Sequence, residues 1–313
     1  MELRGSISID IDTLKTHFKG FGLKRGEYDF SDFREGMKNF LDFLDPFNIK
    51  ATFFIVGRDL LVEQNIPILR EAVRRGHEIA NHTMNHVQGF RLLSSREKEK
   101  EVELSERLIE QHVGQRPVGF RNPGWNINND MVEILGRRGY LYDSSIFPSF
   151  LNPLLKLMHY RAMSDRPFPD RTTLGRMEYM FAPVRPYHPS LSSFSKKGTA
   201  PLIEFPLPVV PGIRVPFFAT FLLKTGLPFF KISYAALKAL KRPIIYEFHL
   251  FDFVDFEQPH FIDQIPSKAQ AGSYIPQSIH TPFAVKHDLF RRAVEIMAKD
   301  YQFDTIEHLA RKF

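Results

Sequence analysis

Four short segments, far apart in the 313-residue chain, hold the side chains best suited to chemistry. They are Ser8-Ile9-Asp10-Ile11-Asp12-Thr13, His77 to His86, Phe120-Arg121-Asn122-Pro123-Gly124-Trp125, and Tyr246-Glu247-Phe248-His249. His82 and His86 are spaced so that two imidazoles can reach one ion from a single helical turn or a tight turn after a strand. Catalytic zinc usually takes three protein ligands and keeps one position open for water. The third ligand must come from elsewhere, and a carboxylate is a common choice. Asp10 and Asp12 end an apolar stretch that reads as a buried strand. Side chains two apart on a strand share a face, so both carboxylates can point into one mouth. One of them can bind metal while the other stays free as a base.

Each segment has an ordinary reading when taken alone. An H-x3-H pair arises often by chance, Asp-x-Asp at a strand end serves as a cap or turn, and Arg121 could decorate the turn at Asn-Pro-Gly. His249 between aromatics could be a satisfied core histidine. Their joint occurrence at strand ends is what points to a site.

In this order the four segments resemble the polysaccharide deacetylase family, also called carbohydrate esterase family 4 or the chitooligosaccharide deacetylase homology domain. The resemblance runs roughly from Leu3 to Val254. It implies that Asp10 is the catalytic base and that Asp12, His82 and His86 hold one divalent ion, zinc being the first choice. It further implies that Arg121 orients Asp10, that His249 is the general acid and that Asp143 steadies His249. Pro123 and Trp125, in the Arg121 segment, are the candidate substrate contacts. The chain departs from many members in placing Ile11 between the two aspartates. The stretch between Ser145 and Leu202 matches no family segment.

These side-chain types suit amide hydrolysis. Zinc lowers the pKa of its water towards about 7 and polarises an acyl oxygen. A carboxylate can then take the water proton, and a histidine, whose ordinary pKa is about 6.5, can protonate the departing nitrogen.

The elements that must carry these residues alternate between apolar strands and amphipathic helices. Strands are expected at Ser6–Ile11, Ala51–Val56, Glu78–Asn81, Gly119–Arg121, Leu141–Asp143, Leu202–Leu207 and Ile244–His249. Helices are expected at Asp32–Leu44, Ile66–Arg75, Ser95–His112, Asn129–Arg138, Tyr234–Leu240 and His287–Asp300. Such alternation argues for a parallel sheet with its site at the carboxyl ends of the strands. The expected fold is α/β: a distorted, incomplete (β/α) barrel of about seven parallel strands, in one catalytic domain spanning 1–313. A proline- and aromatic-rich insertion, about 146–231, breaks the pattern and reads as a wall and lid over the site.

With 43% hydrophobic and 25% charged residues the chain is globular in composition. It has no cysteine, which excludes disulfides and thiolate metal sites. The start of the chain shows no secretory signal, so a cytoplasmic setting is expected. The basic residues are dispersed, and no nucleic-acid module is seen. A net charge of +6 and a pI near 9.3 would favour an anionic surface or substrate. Membrane contact through Phe217, Phe218, Phe229 and Phe230 stays open beside the alternative that these rings fill the core.

Three functions follow for test. The first is N-deacylation (acetyl or formyl) of an amino sugar, linked to a polyprenyl phosphate at the inner face of the membrane, as in a branch of the family that the first motif resembles. The second is ring opening of a small cyclic amide, as in allantoinase-like relatives. The third is a non-catalytic carbohydrate-binding barrel.

Overall fold

The computed structural model describes residues 3–16, 29–155, 157, 177–262 and 276–313. Its centre is a parallel sheet in which seven strands curl into a half-barrel. In spatial order these are β9 (Ile244–His249), β1 (Leu3–Ile11), β2 (Thr52–Ile55), β3 (Glu78–Asn81), β4 (Gly119–Phe120), β5 (Tyr142–Asp143) and β8 (Ile203–Glu204). A short eighth strand, β10 (Tyr301–Phe303), pairs with the first residues of β1. Among the described residues β8 and β9 do not pair, so the barrel stays open.

Alternation along β1 explains how it lies. Ile7, Ile9 and Ile11 are fully buried in the layer formed with helices Ser31–Leu44 and Phe283–Ala298. Ser6, Ser8, Asp10 and Asp12 take the opposite face, inside the half-barrel. β9 repeats this pattern: Ile244, Tyr246 and Phe248 join the outer core, while Ile245, Glu247 and His249 turn inward. Both faces are covered, as expected of a parallel sheet.

The register then aligns the chemistry. Asp10 pairs with His249 on one side and Phe54 on the other. Asn81 pairs with Phe120, Phe120 with Asp143, and Asp143 with Glu204. Thus Asp10, His249, His82, Arg121 and Asp143 lie at one rim. Gly119 is needed here because a Cβ would come within 2.1 Å of the Tyr142 hydroxyl.

The opposite rim is plugged by helix Ile306–Arg311. Buried Glu78 accepts hydrogen bonds there from Tyr142 Oη and Thr52 Oγ1, each at 2.7 Å, and from the Glu307 N–H at 2.9 Å. Burial pushes Glu78 up from the ordinary 4.5 to about 7. The fold therefore holds a proton that the unfolded chain has already lost. Its contribution is full below the unfolded pKa and disappears as pH rises through the folded pKa. Wild-type stability should fall by up to about 3 kcal/mol between pH ~4.5 and ~7 from this group. Glu78→Gln should remove that slope in urea unfolding curves, and an unchanged slope would refute the assignment.

The structure departs from the expectations, or decides between them, at three points. Helix Ala219–Ala239 starts fifteen residues before the expected Tyr234, because it continues across a break at Gly226 (φ 75°, ψ 176°) followed by Pro228. The pair reads as a terminator but acts here as a kink between two helical pieces. The insertion boundary near 231 consequently falls inside a helix. Second, Phe217, Phe218 and Phe230 are only 3%, 8% and 2% exposed. Phe217 stacks on Phe230 at 4.9 Å and meets Tyr246 edge-on, so these rings fill the core and cannot form a membrane face. Third, the antiparallel pair β6 (Pro189–Ser190) and β7 (Ser193–Lys197), β10 and helix Ile306–Arg311 were not anticipated. These strands are too short to show a period. No helix among the described residues is long and apolar enough to cross a membrane.

Candidate metal-hydrolase site

The His82–His86 segment is a turn at the end of β3, not a helix. Thr83 and His86 both have positive φ, 67° and 50°, a costly conformation for a β-branched threonine. Neighbours hold it in place. The Gly57 and Arg58 N–H groups donate to Thr83 O and Met84 O at 2.9 Å. Asn81 Oδ1 accepts from the Thr83 N–H, and Glu101 accepts twice from Asn85.

Three ligand atoms converge there. Donors of Asp12, His82 and His86 lie within 4.8 Å of one another and are all buried. Asp12 Oδ1 is 3.2 Å from His86 Nε2 and 3.5 Å from His82 Nε2. His82 Nδ1–H donates to the Arg121 carbonyl at 2.7 Å, which leaves Nε2 free to ligate. Buried Asp12 Oδ1 and His82 Nε2 have no hydrogen-bond partner. Orphaned polar atoms of this kind are rare in folded proteins. Burial pushes Asp12 up, but the two imidazoles outweigh it and hold the carboxyl well below its usual range. Two imidazoles and an ionised carboxylate suit a divalent ion, and the donor set fits one.

Asp10 faces a different partner. Arg121, fully buried, donates through Nη1 to Asp10 Oδ1 at 2.7 Å and to Ser8 Oγ at 3.1 Å, and lies 3.2 Å from Glu247 Oε1. Its Nε and Nη2 donate to Ser144 O and Oγ at 3.0 Å, and its guanidinium covers Phe54 at 4.1 Å. Burial alone would depress the Arg121 pKa, but Asp10 and Glu247 raise it. This burial ties Arg121 to the fold as well as to Asp10. Removing one partner of a buried pair strands the other charge. Arg121→Ala should cost about 3–5 kcal/mol as well as turnover. An unfolding midpoint equal to wild type would contradict this.

His249 follows on the neighbouring strand. Its ring, Asp10 and Glu247 also present ligand atoms within 4.8 Å of one another. Desolvation lowers the His249 pKa, yet Glu247, Asp10, Asp12 and Asp252 together raise it above its ordinary value. A second cation does not suit this group, because Arg121 already sits against both carboxylates.

Glu247 is the residue that sequence reasoning missed. It is fully buried, accepts from Trp125 Nε1 at 3.3 Å, and is pushed up to about 7 by burial against the pull of Arg121. The signal was available, since Glu247 stands two residues before His249 and must share its face.

Asp143 needs correction. Its carboxylate accepts from Ser145 N–H at 3.1 Å and Ser145 Oγ at 2.7 Å, and is hydrogen-bonded to Glu204 rather than to His249. Pairing of β5 with β8 draws it that way. Burial raises both carboxyls, and the proximity of Asp143 adds to it in pushing Glu204 well above the carboxylate range. Pro123 is buried in the turn after β4, while half-buried Trp125 packs against Phe147 and Phe218 at 4.8 and 5.7 Å. The indole forms a wall between the Arg121 strand and the insertion.

The chain is similar to known proteins in sequence and in fold. The polysaccharide deacetylase family model matches residues 27–142. A peptidoglycan-N-acetylglucosamine deacetylase of Bacillus cereus is 36% identical over 101 residues, 32% of this chain and 45% of that protein. A candidate polysaccharide deacetylase from Mycobacterium smegmatis has a similar fold, with a TM-score of 0.62 at 18% identity over 99% of this chain and 89% of that one. PuuE allantoinase shares the fold too, with a TM-score of 0.56 at 14% identity over 98% and 88%. A polysaccharide deacetylase domain in this chain is thus supported by the family match and by curated relatives that the chain spans only in part.

Proposed function

We propose that this chain is one catalytic domain, a metal-dependent hydrolase that removes the N-acetyl group from an amino-sugar glycan. The observation that carries the reading is the pairing of two constellations at one rim: the Asp12-His82-His86 ligand set and Asp10 held at 2.7 Å by Arg121. A divalent ion bound there, zinc by the donor chemistry, supplies Lewis acidity to water and to the acyl oxygen.

The remaining work falls to the chain's own groups. Asp10 takes the proton of the attacking water, its second oxygen left available while Arg121 holds the first. Arg121 holds Asp10 in place and aimed. His249, kept protonated by the surrounding carboxylates, gives its proton to the departing nitrogen. Glu247 takes the place expected of Asp143, facing both His249 and Arg121. Trp125 offers an apolar wall against which a sugar ring can lie.

The test is incubation with N-acetylglucosamine oligomers and a divalent ion, reading released acetate and the mass loss of the sugar. Acetate no higher than with Asp10→Asn would overturn the proposal.

We further propose that the natural glycan is polyprenyl-phosphate-linked and met at the inner face of the membrane. Support comes from the insertion, where Phe150 and Phe181 are 39% and 71% exposed with ring centroids 6.0 Å apart. Ile213 is 55% exposed, and the neighbouring Arg214 lies over Phe150 at 5.3 Å. Aromatic side chains beside arginine suit an anionic interface. Co-sedimentation with anionic vesicles should drop for Phe150→Ser/Phe181→Ser, and a wild type that never sediments would refute this part.

A further inference from the structure

We propose that Lys286 is a positioning residue for His249, acting through Asp252 and Ser278. This rests on the reading of His249 as the proton donor. β9 ends at His249, and the chain turns at once through Leu250–Phe253. Asp252 Oδ2 accepts from the His249 N–H at 2.9 Å. The other oxygen, Oδ1, accepts from Ser278 Oγ.

Lys286, on helix Phe283–Ala298, is fully buried. Its Nζ donates to Phe251 O at 2.6 Å, Val254 O at 2.8 Å and Ser278 O at 2.9 Å. An ammonium has three donors, and each reaches a carbonyl. Two of these belong to the turn after His249. The third belongs to Ser278, whose hydroxyl holds Asp252. Lys286 therefore grips both the turn and the residue that fixes the turn's carboxylate. Phe256 lies alongside, its ring centroid 5.2 Å from Nζ.

The choice of lysine is informative. Burial pulls its pKa down to about 8 even with Asp252 and Asp255 nearby, so the charge is costly to keep there. An apolar side chain of similar volume would avoid that charge but would leave three carbonyls without their donor. What the ammonium adds is direction, since three carbonyls must point at one atom. That constraint holds the backbone of His249 to a helix on the outer layer of the barrel. The network shares no member with the metal ligands. A misplacement of about 1 Å at a reacting group can cost about 10²-fold in rate, so the turn needs a rigid anchor.

The test compares Lys286→Met and Ser278→Ala with wild type. Four readouts are needed: metal content, thermal unfolding, steady-state kinetics on N-acetylglucosamine oligomers, and amide hydrogen exchange over residues 249–254 in metal-free protein. Both variants should retain metal and keep KM within about twofold, while kcat falls on the order of 10- to 100-fold. Exchange should quicken over 249–254 and stay unchanged in β1 and β2. His249→Ala/Lys286→Met should be no slower than His249→Ala alone, because a positioning residue has nothing left to position. Wild-type kcat in both variants, or losses that multiply in the double variant, would overturn the inference. Should Lys286→Met fail to fold, Ser278→Ala, which removes one hydroxyl, must show the same split between kcat and KM. A His249→Ala protein with full activity would instead overturn the proton-donor reading. The exchange data would then still decide whether Lys286 holds the turn.

Discussion

His82→Ala should yield a folded protein that no longer retains a divalent ion and releases no acetate above background. His82 presents Nε2 to Asp12 only because its Nδ1–H is committed to the Arg121 carbonyl. Alanine removes one of three ligands and leaves two, which is too few for a catalytic zinc site. The fold should persist, because the imidazole lies in a turn strapped by backbone hydrogen bonds from Gly57 and Arg58. Elemental analysis after gel filtration and an acetate assay check this together. A strong chelator should reproduce the loss in wild type, and added zinc should restore wild type but not the variant. Full metal content in His82→Ala would show that the ion sits elsewhere.

The second large effect is expected from Asp10→Asn. The substitution keeps the size of the side chain and an oxygen able to accept from Arg121 Nη1, but it removes the basic group. Turnover should fall on the order of 10²–10⁴-fold, with metal content unchanged and KM little altered. The contrast between the two variants separates ligand from base, which neighbouring aspartates leave ambiguous. If Asp10→Asn lost the metal and Asp12→Asn kept it, the two roles would be exchanged. Stability should also decrease somewhat, since Arg121 would lose one of the carboxylates that compensate its burial.

Several of these features were legible in the chain before it was folded. The period of two along β1 and β9 is a local property, so it placed Asp10 with Asp12 and put His249 on an inward face. Helices such as Ser95–Val113 were also visible, because their capping box and apolar period lie within the segment itself. The same period puts Glu247, two residues before His249, on that face as well.

Other features depended on strands and helices that meet only in three dimensions. Asp143 turns to Glu204 because β8, 61 residues later, became its neighbour, and no local pattern encodes that register. Phe217 and Phe230 entered the core because the kinked helix docked against Tyr246, whereas an apolar run by itself fits a membrane face as well as an interior. Lys286 reads as an ordinary helix lysine until its three carbonyl partners close around it. Residue type and short-range period determine which groups can do chemistry and which face they share. Only long-range pairing decides which charges end up buried together, and that burial sets their pKa values and their partners.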